Sequence, residues 1–271
     1  MTQEHINAAF DEDLDGLDKL ITTMGNLALS QFVAVIDGLA DEGVELQSLI
    51  SNDKKIDQLE TEIYNKTVEI IAIRSPQAND LRRIITAPKI ASFLERIGDY
   101  SKNIIKRRNM MIVEDGNIAI LERLNGISEI ARELLIDVLD SLARLDAAKA
   151  RLVWEGDVEL DAQHSIVYKR IYRRMVEKGS SPAEINALFI AKNIERIGDY
   201  CTSIAEQIYF IVHGVSVIDL IADESLSPSP PPALTPSWHA AISDCKDCLR
   251  QRSWWQELGF HSPSLPSLVC A

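Results

Sequence analysis

The chain has 271 residues, 46% of them hydrophobic, 25% charged and 6% aromatic, long enough for one large domain or two ordinary ones with a real core. Its 41 acidic side chains outnumber 28 basic ones, for a formal charge of −13. Such a surface repels nucleic-acid phosphate and anionic lipid, so neither is expected as a bulk partner.

The pattern is helical from the start, and MTQEHINAAFDEDLD offers no basic segment followed by an apolar one, as a secretory leader would. Leu17, Leu20, Met24, Leu27, Phe32, Val35 and Leu39 recur at helical spacing and give one apolar face. Ser51-Asn52-Asp53 is read as a stop and cap, and Ser75-Pro76 as a break. Glu114-Asp115-Gly116-Asn117 separates two halves. A second apolar face then runs from Leu121 through Leu134 and Leu145 to Leu152. Glu155-Gly156-Asp157 and Gly179-Ser180-Ser181-Pro182 are read as further boundaries. Six helices are predicted, at 2–50, 53–74, 77–113, 117–154, 157–178 and 182–213, with Pro88 a kink point in the third. The longest weakly charged apolar stretch, Tyr209 to Ala222, is too short to span a bilayer. From residue 216 the chain changes character. It becomes rich in Ser and Pro, carries three of four tryptophans and three of four cysteines, and is predicted to be an irregular tail. Cys245-x-x-Cys248 with His261 and Cys270 is a weak zinc pattern, and these cysteines make no disulfide framework.

The halves are copies. Glu95-Arg96-Ile97-Gly98-Asp99-Tyr100 recurs 100 residues later as Glu195-Arg196-Ile197-Gly198-Asp199-Tyr200. Upstream, Asp53-Lys54-Lys55-Ile56-Asp57 matches Asp157-Val158-Glu159-Leu160-Asp161 at an offset of 104. The expected fold is all-α: two tandem three-helix bundles at 1–114 and 115–215, related by a pseudo-two-fold axis, with a tail at 216–271.

Each half holds two acidic pairs at i,i+4, and residues four apart share a helix face. Two antiparallel helices place residues at equal height when their numbers share a midpoint. Asp53 with Asp99 and Asp57 with Glu95 share midpoint 76, and Asp157 with Asp199 and Asp161 with Glu195 share midpoint 178. Four carboxylates are therefore expected at one level, twice. Such convergence is unfavourable unless compensated, and oxygen ligands suit Fe, Mn or Mg better than zinc. The bland alternative is a solvated face paired with Arg96, Arg196, Lys55 or Lys102. Gly98 and Gly198 are expected to permit close approach, by a ligand or a neighbouring helix. His164 shares a face with Asp161, but the matching residue is Glu60, so a satisfied or exposed histidine is expected. Cys201 is expected inside the bundle, and no Walker, G-x-S-x-G or H-E-x-x-H signature occurs. No enzyme is expected. The alternatives are a carboxylate-bridged oxidase or phosphohydrolase, and a helical scaffold without metal.

On its internal repeat, its Glu/Asp-x-x-x-Asp motifs, the paired Glu-Arg-Ile-Gly-Asp cores, Ser75-Pro76-Gln77-Ala78-Asn79-Asp80-Leu81-Arg82 and Ala205-Glu206-Gln207-Ile208-Tyr209, the chain resembles the PhoU family over residues 1–215. The resemblance implies metal clusters held by Asp53, Asp57, Glu95 and Asp99, and by Asp157, Asp161, Glu195 and Asp199. It implies a cytoplasmic homodimer that represses the phosphate-starvation response. The implied partners are a sensor histidine kinase and the ATPase subunit of the phosphate ABC transporter.

Overall fold

A computed structural model of the chain describes residues 3–39, 46–113, 121 and 124–215. The expected tail, its Cys245-x-x-Cys248 pattern and the junction at 114–120 lie outside the described residues. Six long helices carry the fold: α1 (Gln3–Asp37), α2 (Leu46–Arg74), α3 (Ala78–Val113), α4 (Asn125–Arg144), α5 (Ala147–Lys178) and α6 (Pro182–His213). No strand occurs among the described residues.

Two expected boundaries are corrected. Ser51-Asn52-Asp53 lies inside α2, and Glu155-Gly156-Asp157 lies inside α5. The break between α4 and α5 instead falls at Leu145-Asp146. Leu145 takes a left-handed conformation (φ 50°), and the Asp146 carboxylate accepts the N–H groups of Ala148 and Lys149, both at 3.0 Å. That cap resets the helical phase. Leu152, expected on the apolar face continuing from Leu145, is consequently 62% exposed. Gly156 lies inside α5 where a neighbour packs close over it: a Cβ there would stand 2.8 Å from a Leu134 methyl. Pro88 does not end α3, which runs through it to Val113.

Within each half the three helices pack pairwise, and the halves join through α3 against α6 and α1 against α4. Both three-helix sets belong to one compact unit. The buried stripe of α3 (Ala87, Ile90, Ala91, Leu94, Ile97, Ile104) recurs 100 residues on in α6 as Ala187, Ile190, Ala191, Ile194, Ile197 and Ile204. Each buried Ile or Leu in that seam contributes about 1.5–3 kcal/mol of hydrophobic stabilisation. The two copies of the hexapeptide meet there, with Tyr100 and Tyr200 stacked at 5.8 Å between ring centroids. Arg82 of α3 adds a polar tie, its Nε donating to the Ile211 carbonyl in the last turn of α6 at 3.2 Å.

Among the described residues, the stretch Ala8–Asp37 is long and apolar enough, by length and composition, to cross a membrane. Its apolar side is core: Leu17, Met24, Ala28, Phe32 and Val35 are fully buried. Polar groups on α1 are tied to its neighbours. Asp13 accepts from Lys66 at 2.6 Å and Arg74 at 2.9 Å, and Asp18 pairs with Arg83.

Candidate metal centres

Each acidic quartet is built by a helix hairpin, α2–α3 or α5–α6, whose tight turn fixes the register. Asp53 and Asp57 stand one helical turn apart on α2, and Glu95 and Asp99 one turn apart on α3. Asp157, Asp161, Glu195 and Asp199 repeat the arrangement on α5 and α6. In the second hairpin Asp157 lies within electrostatic reach of Asp199, and Asp161 of Glu195. In the first, Asp57 feels Asp99 and Glu95 feels Glu60, and the expected pair of Asp57 with Glu95 is not brought together. Burial and the charges of Asp53 and Asp99 push the Asp57 carboxyl up from its ordinary value. Burial pushes Glu95 up to about 7, with Asp99 and Glu60 adding to the effect. In the second half burial pushes Asp157 up to about 7, beside Asp161, Asp199 and Glu195. Asp199 rises to about 6 by burial and the Glu195 charge, and Asp161 rises for the same two reasons. These are carboxylates that, without a cation, hold a proton more readily than their free counterparts.

The compensation differs between the halves. In the first, Lys102 reaches across the hairpin: its ammonium lies 2.6 Å from Asp53 Oδ2 on α2 and 2.7 Å from Asp99 Oδ1 on α3. Arg96 stands 3.5 Å from Glu95, and Lys55 is exposed. In the second half the cations sit on α6 itself at the rim. Lys192 pairs with Glu195, and Arg196 contacts Asp199 at 3.3 Å; both are about half exposed, so solvent screens them. The charges that act on Asp157 are all acidic, the buried Cys201 thiol lies within its reach as well, and Asp157 Oδ1 is buried without a hydrogen-bond donor. A buried acceptor left unpaired costs about 1–3 kcal/mol, more when charged.

His164 departs from expectation. It is partly buried, and its Nε2 is enclosed without a partner. Burial holds its pKa below the ordinary value, against the opposing charges of Glu195 and Asp161. A neutral imidazole of this kind is a metal donor by chemistry. The two glycines also divide. A Cβ on Gly98 would meet the Ile56 side chain at 3.1 Å, which is helix packing, and the Gly98 carbonyl accepts from buried Gln31 at 2.9 Å. A Cβ on Gly198 would stand 2.2 Å from a Leu160 methyl and 2.8 Å from Asp157 Oδ1, so glycine there also makes room for the carboxylate. Cys201 is fully buried as expected, and burial drives its thiol pKa upward, away from nucleophilic use.

Among the described residues, no three His, Cys, Asp or Glu side chains are grouped so as to hold a metal ion. What bears on a cation is the chemistry of the donors: acids on the facing helices of two hairpins and, in the second, an unpartnered Asp157 Oδ1 and His164 Nε2. Lys102 and Glu60 are the participants that spacing left undervalued. Both lie within one helical turn of a quartet acid, Lys102 three residues after Asp99 and Glu60 three after Asp57, and that was the signal available.

The PhoU domain model matches this chain twice, over residues 21–107 and 124–208. The chain belongs to the PhoU family. A PhoU homolog of the phosphate-specific transport system from Zymomonas mobilis is 39% identical over 78% of this chain and 89% of its own length. The Escherichia coli accessory protein PhoU is 30% identical over 82% and 92%, respectively. The crystal structure of PhoU from Pseudomonas aeruginosa superposes with a TM-score of 0.70 at 28% identity, covering 76% of this chain and all of that one. PhoU from Streptococcus pneumoniae, titled a phosphate transport system regulatory protein, gives 0.71 at 26% identity, covering 77% of this chain and 99% of that one. Each domain match takes in the four acids of one hairpin.

Proposed function

We propose that the chain is a cytoplasmic accessory regulator of phosphate uptake that binds metal ions through its two carboxylate quartets and represses the phosphate-starvation response. Its relatives are named as accessory proteins of the phosphate-specific transport system, which makes transport and its regulation the setting. What supports the metal reading is the repeat of the acidic pairs on two hairpins, with burial and neighbouring acids disfavouring ionisation of Asp57, Glu95, Asp157, Asp161 and Asp199, and Asp157 Oδ1 without a donor. Asp53, Asp57, Glu95 and Asp99 would hold ions in the first half, and Asp157, Asp161, Glu195 and Asp199 in the second. Bound Fe, Mn or Mg supplies positive charge that carboxylates alone lack.

The residues themselves set the mechanism. Neutralising a quartet fixes the exposed edge of a hairpin, and that edge is the docking surface offered to partners. The partners in this reading are a sensor histidine kinase and the ATPase subunit of the phosphate ABC transporter, engaged by a homodimer. Catalysis is not part of the reading, because each quartet lies along a two-helix face that encloses little of a substrate. The test is deletion of the gene with phosphate-responsive expression followed in high phosphate. Derepression is expected, and unchanged expression would refute the regulatory role.

A further inference from the structure

We propose that the cleft between the second half of α3 and the first half of α6, lined by Asn103, Lys106, Arg107, Met110, Phe189 and Asn193, binds a small phosphoryl-bearing anion. No quartet acid lines it, so the proposal stands apart from the metal reading.

The cleft encloses about 300 Å³, the lower end of the range for small-molecule sites. Its charged lining is two cations and no acid, in a chain of formal charge −13. The described acids that flank it on the two helices are engaged elsewhere: Asp99 with Lys102, Glu184 with Arg174 and Glu195 with Lys192. Arg107 is held in place by uncharged groups. Its Nη1 donates to Asn186 Oδ1 at 3.3 Å, and its guanidinium carbon lies 4.3 Å from the centre of the Phe189 ring. Asn186 is itself buried, and its Nδ2 donates to the Pro182 carbonyl at 2.9 Å, which fixes the amide that orients the arginine. Among the described residues Asn186 is the one acceptor for the guanidinium, whose five N–H groups are therefore mostly left for a ligand.

A phosphoryl group matches this lining. Arginine offers a planar fork to two oxygens of a tetrahedral anion, lysine adds a point charge, and the Asn103 and Asn193 amides supply donors for the remaining oxygens. Two cations suit an anion of charge near −2, whereas a carboxylate leaves one of them unmatched. Phe189 and Met110, each about half exposed, form an apolar wall for the group that carries the phosphoryl. The acidic surroundings disfavour long polyanions and leave small ones. The internal repeat shows that the fold itself does not require this lining. At an offset of 100, Lys106 and Arg107 correspond to Glu206 and Gln207, and Phe189 and Asn193 to Lys89 and Phe93. Asn186 corresponds to Thr86, whose hydroxyl donates back to the Arg82 carbonyl in its own helix. The counterpart surface thus has an acid in place of one cation, a neutral side chain in place of the other, and no residue set to orient an arginine.

The experiment is calorimetric titration of the full-length chain, at constant ionic strength, with inorganic phosphate, adenosine monophosphate and acetate. Each titration is run before and after the protein is stripped of metal, and circular dichroism confirms the helical content of every variant. Wild type is expected to bind a single equivalent of phosphoryl ligand, unchanged by stripping, and to bind acetate about tenfold more weakly or worse. Arg107→Gln weakens phosphoryl binding about tenfold or more. Asn193→Asp, which sets a carboxylate of the same shape in the cleft, weakens it at least as much. Arg144→Gln, at an exposed arginine outside the cleft, leaves it within about twofold. Inorganic phosphate binding as tightly as the monophosphate supports the site with the free ion as its ligand. A tighter monophosphate supports it with an organic phosphate seated against Phe189. No saturable binding, binding lost on stripping, acetate as tight as phosphate, or wild-type affinity in both Arg107→Gln and Asn193→Asp overturns the inference. None of these results refutes the metal reading, which metal analysis tests separately.

Discussion

Glu184 sits at the third position of α6, where its carboxylate accepts the N–H of Ser181 at 2.9 Å and the Ser181 hydroxyl, while Arg174 stands 3.0 Å away on α5. The Ser181 hydroxyl does most to hold its pKa below the ordinary value, with the Ser181 backbone and Arg174 assisting. A carboxyl depressed in the fold stabilises the protein above its unfolded pKa and loses that contribution as pH falls through the folded value. Urea unfolding between pH 7 and pH 3 should show this loss in wild type. Glu184→Gln, which keeps the shape and removes the charge, should be less stable at pH 7 and show a flatter acid limb. The glycines give a second prediction at this scale. Gly98→Ala asks only a few tenths of an ångström of Ile56, and the alanine gains about 1 kcal/mol of helix propensity, so stability should change by less than about 1 kcal/mol. Gly198→Ala drives a methyl into Leu160 and Asp157, and overpacking of this kind costs about 1–3 kcal/mol. Denaturant midpoints compare the two, and a Gly98→Ala protein less stable than Gly198→Ala would contradict the account.

At the scale of the helices, the hairpin turns were legible and the outer boundaries were not. Ser75-Pro76 and Gly179 to Pro182 combine breakers with caps, and Ser181 with Glu184 forms a capping box, so α3 and α6 begin within a residue of expectation. Asp53 and Asp157 looked like caps because acids favour that position. They are instead interior residues, held in place by the packing of Ile56 and Leu160 beneath them. The midpoint rule needs only the turn between two helices and is indifferent to where the first begins. Yet in the first hairpin Asp57 meets the charge of Asp99, and Glu95 that of Glu60, rather than each other's. Asp146, the true cap of α5, was missed: Ala147 and Ala148 follow it without the Glu or Gln of a capping box. Asp146→Ala should lower stability by about 1 kcal/mol, measured by urea denaturation, by removing two N–H acceptors. A change within error would mean that Leu145 alone sets that break.

For the whole molecule, sequence disclosed the duplication but not how the copies differ. A 100-residue repeat with an identical hexapeptide implies a pseudo-two-fold axis, and the stacked Tyr100 and Tyr200 place the two copies against each other. The asymmetry lies in single positions, Lys102 against Thr202 and Glu60 against His164. Its meaning depends on which side chains reach across a hairpin, which spacing alone does not encode. The account's central claim is that both quartets exist to hold cations. Metal analysis of the purified protein tests it most directly, comparing wild type with the doubly substituted Glu95→Ala/Glu195→Ala. The account predicts stoichiometric divalent or ferric ion in wild type, a rise in Tm when ions are restored to the stripped protein, and a large loss of both in the double variant. Wild type with no ion above background, and no Tm response to added metal, would contradict it.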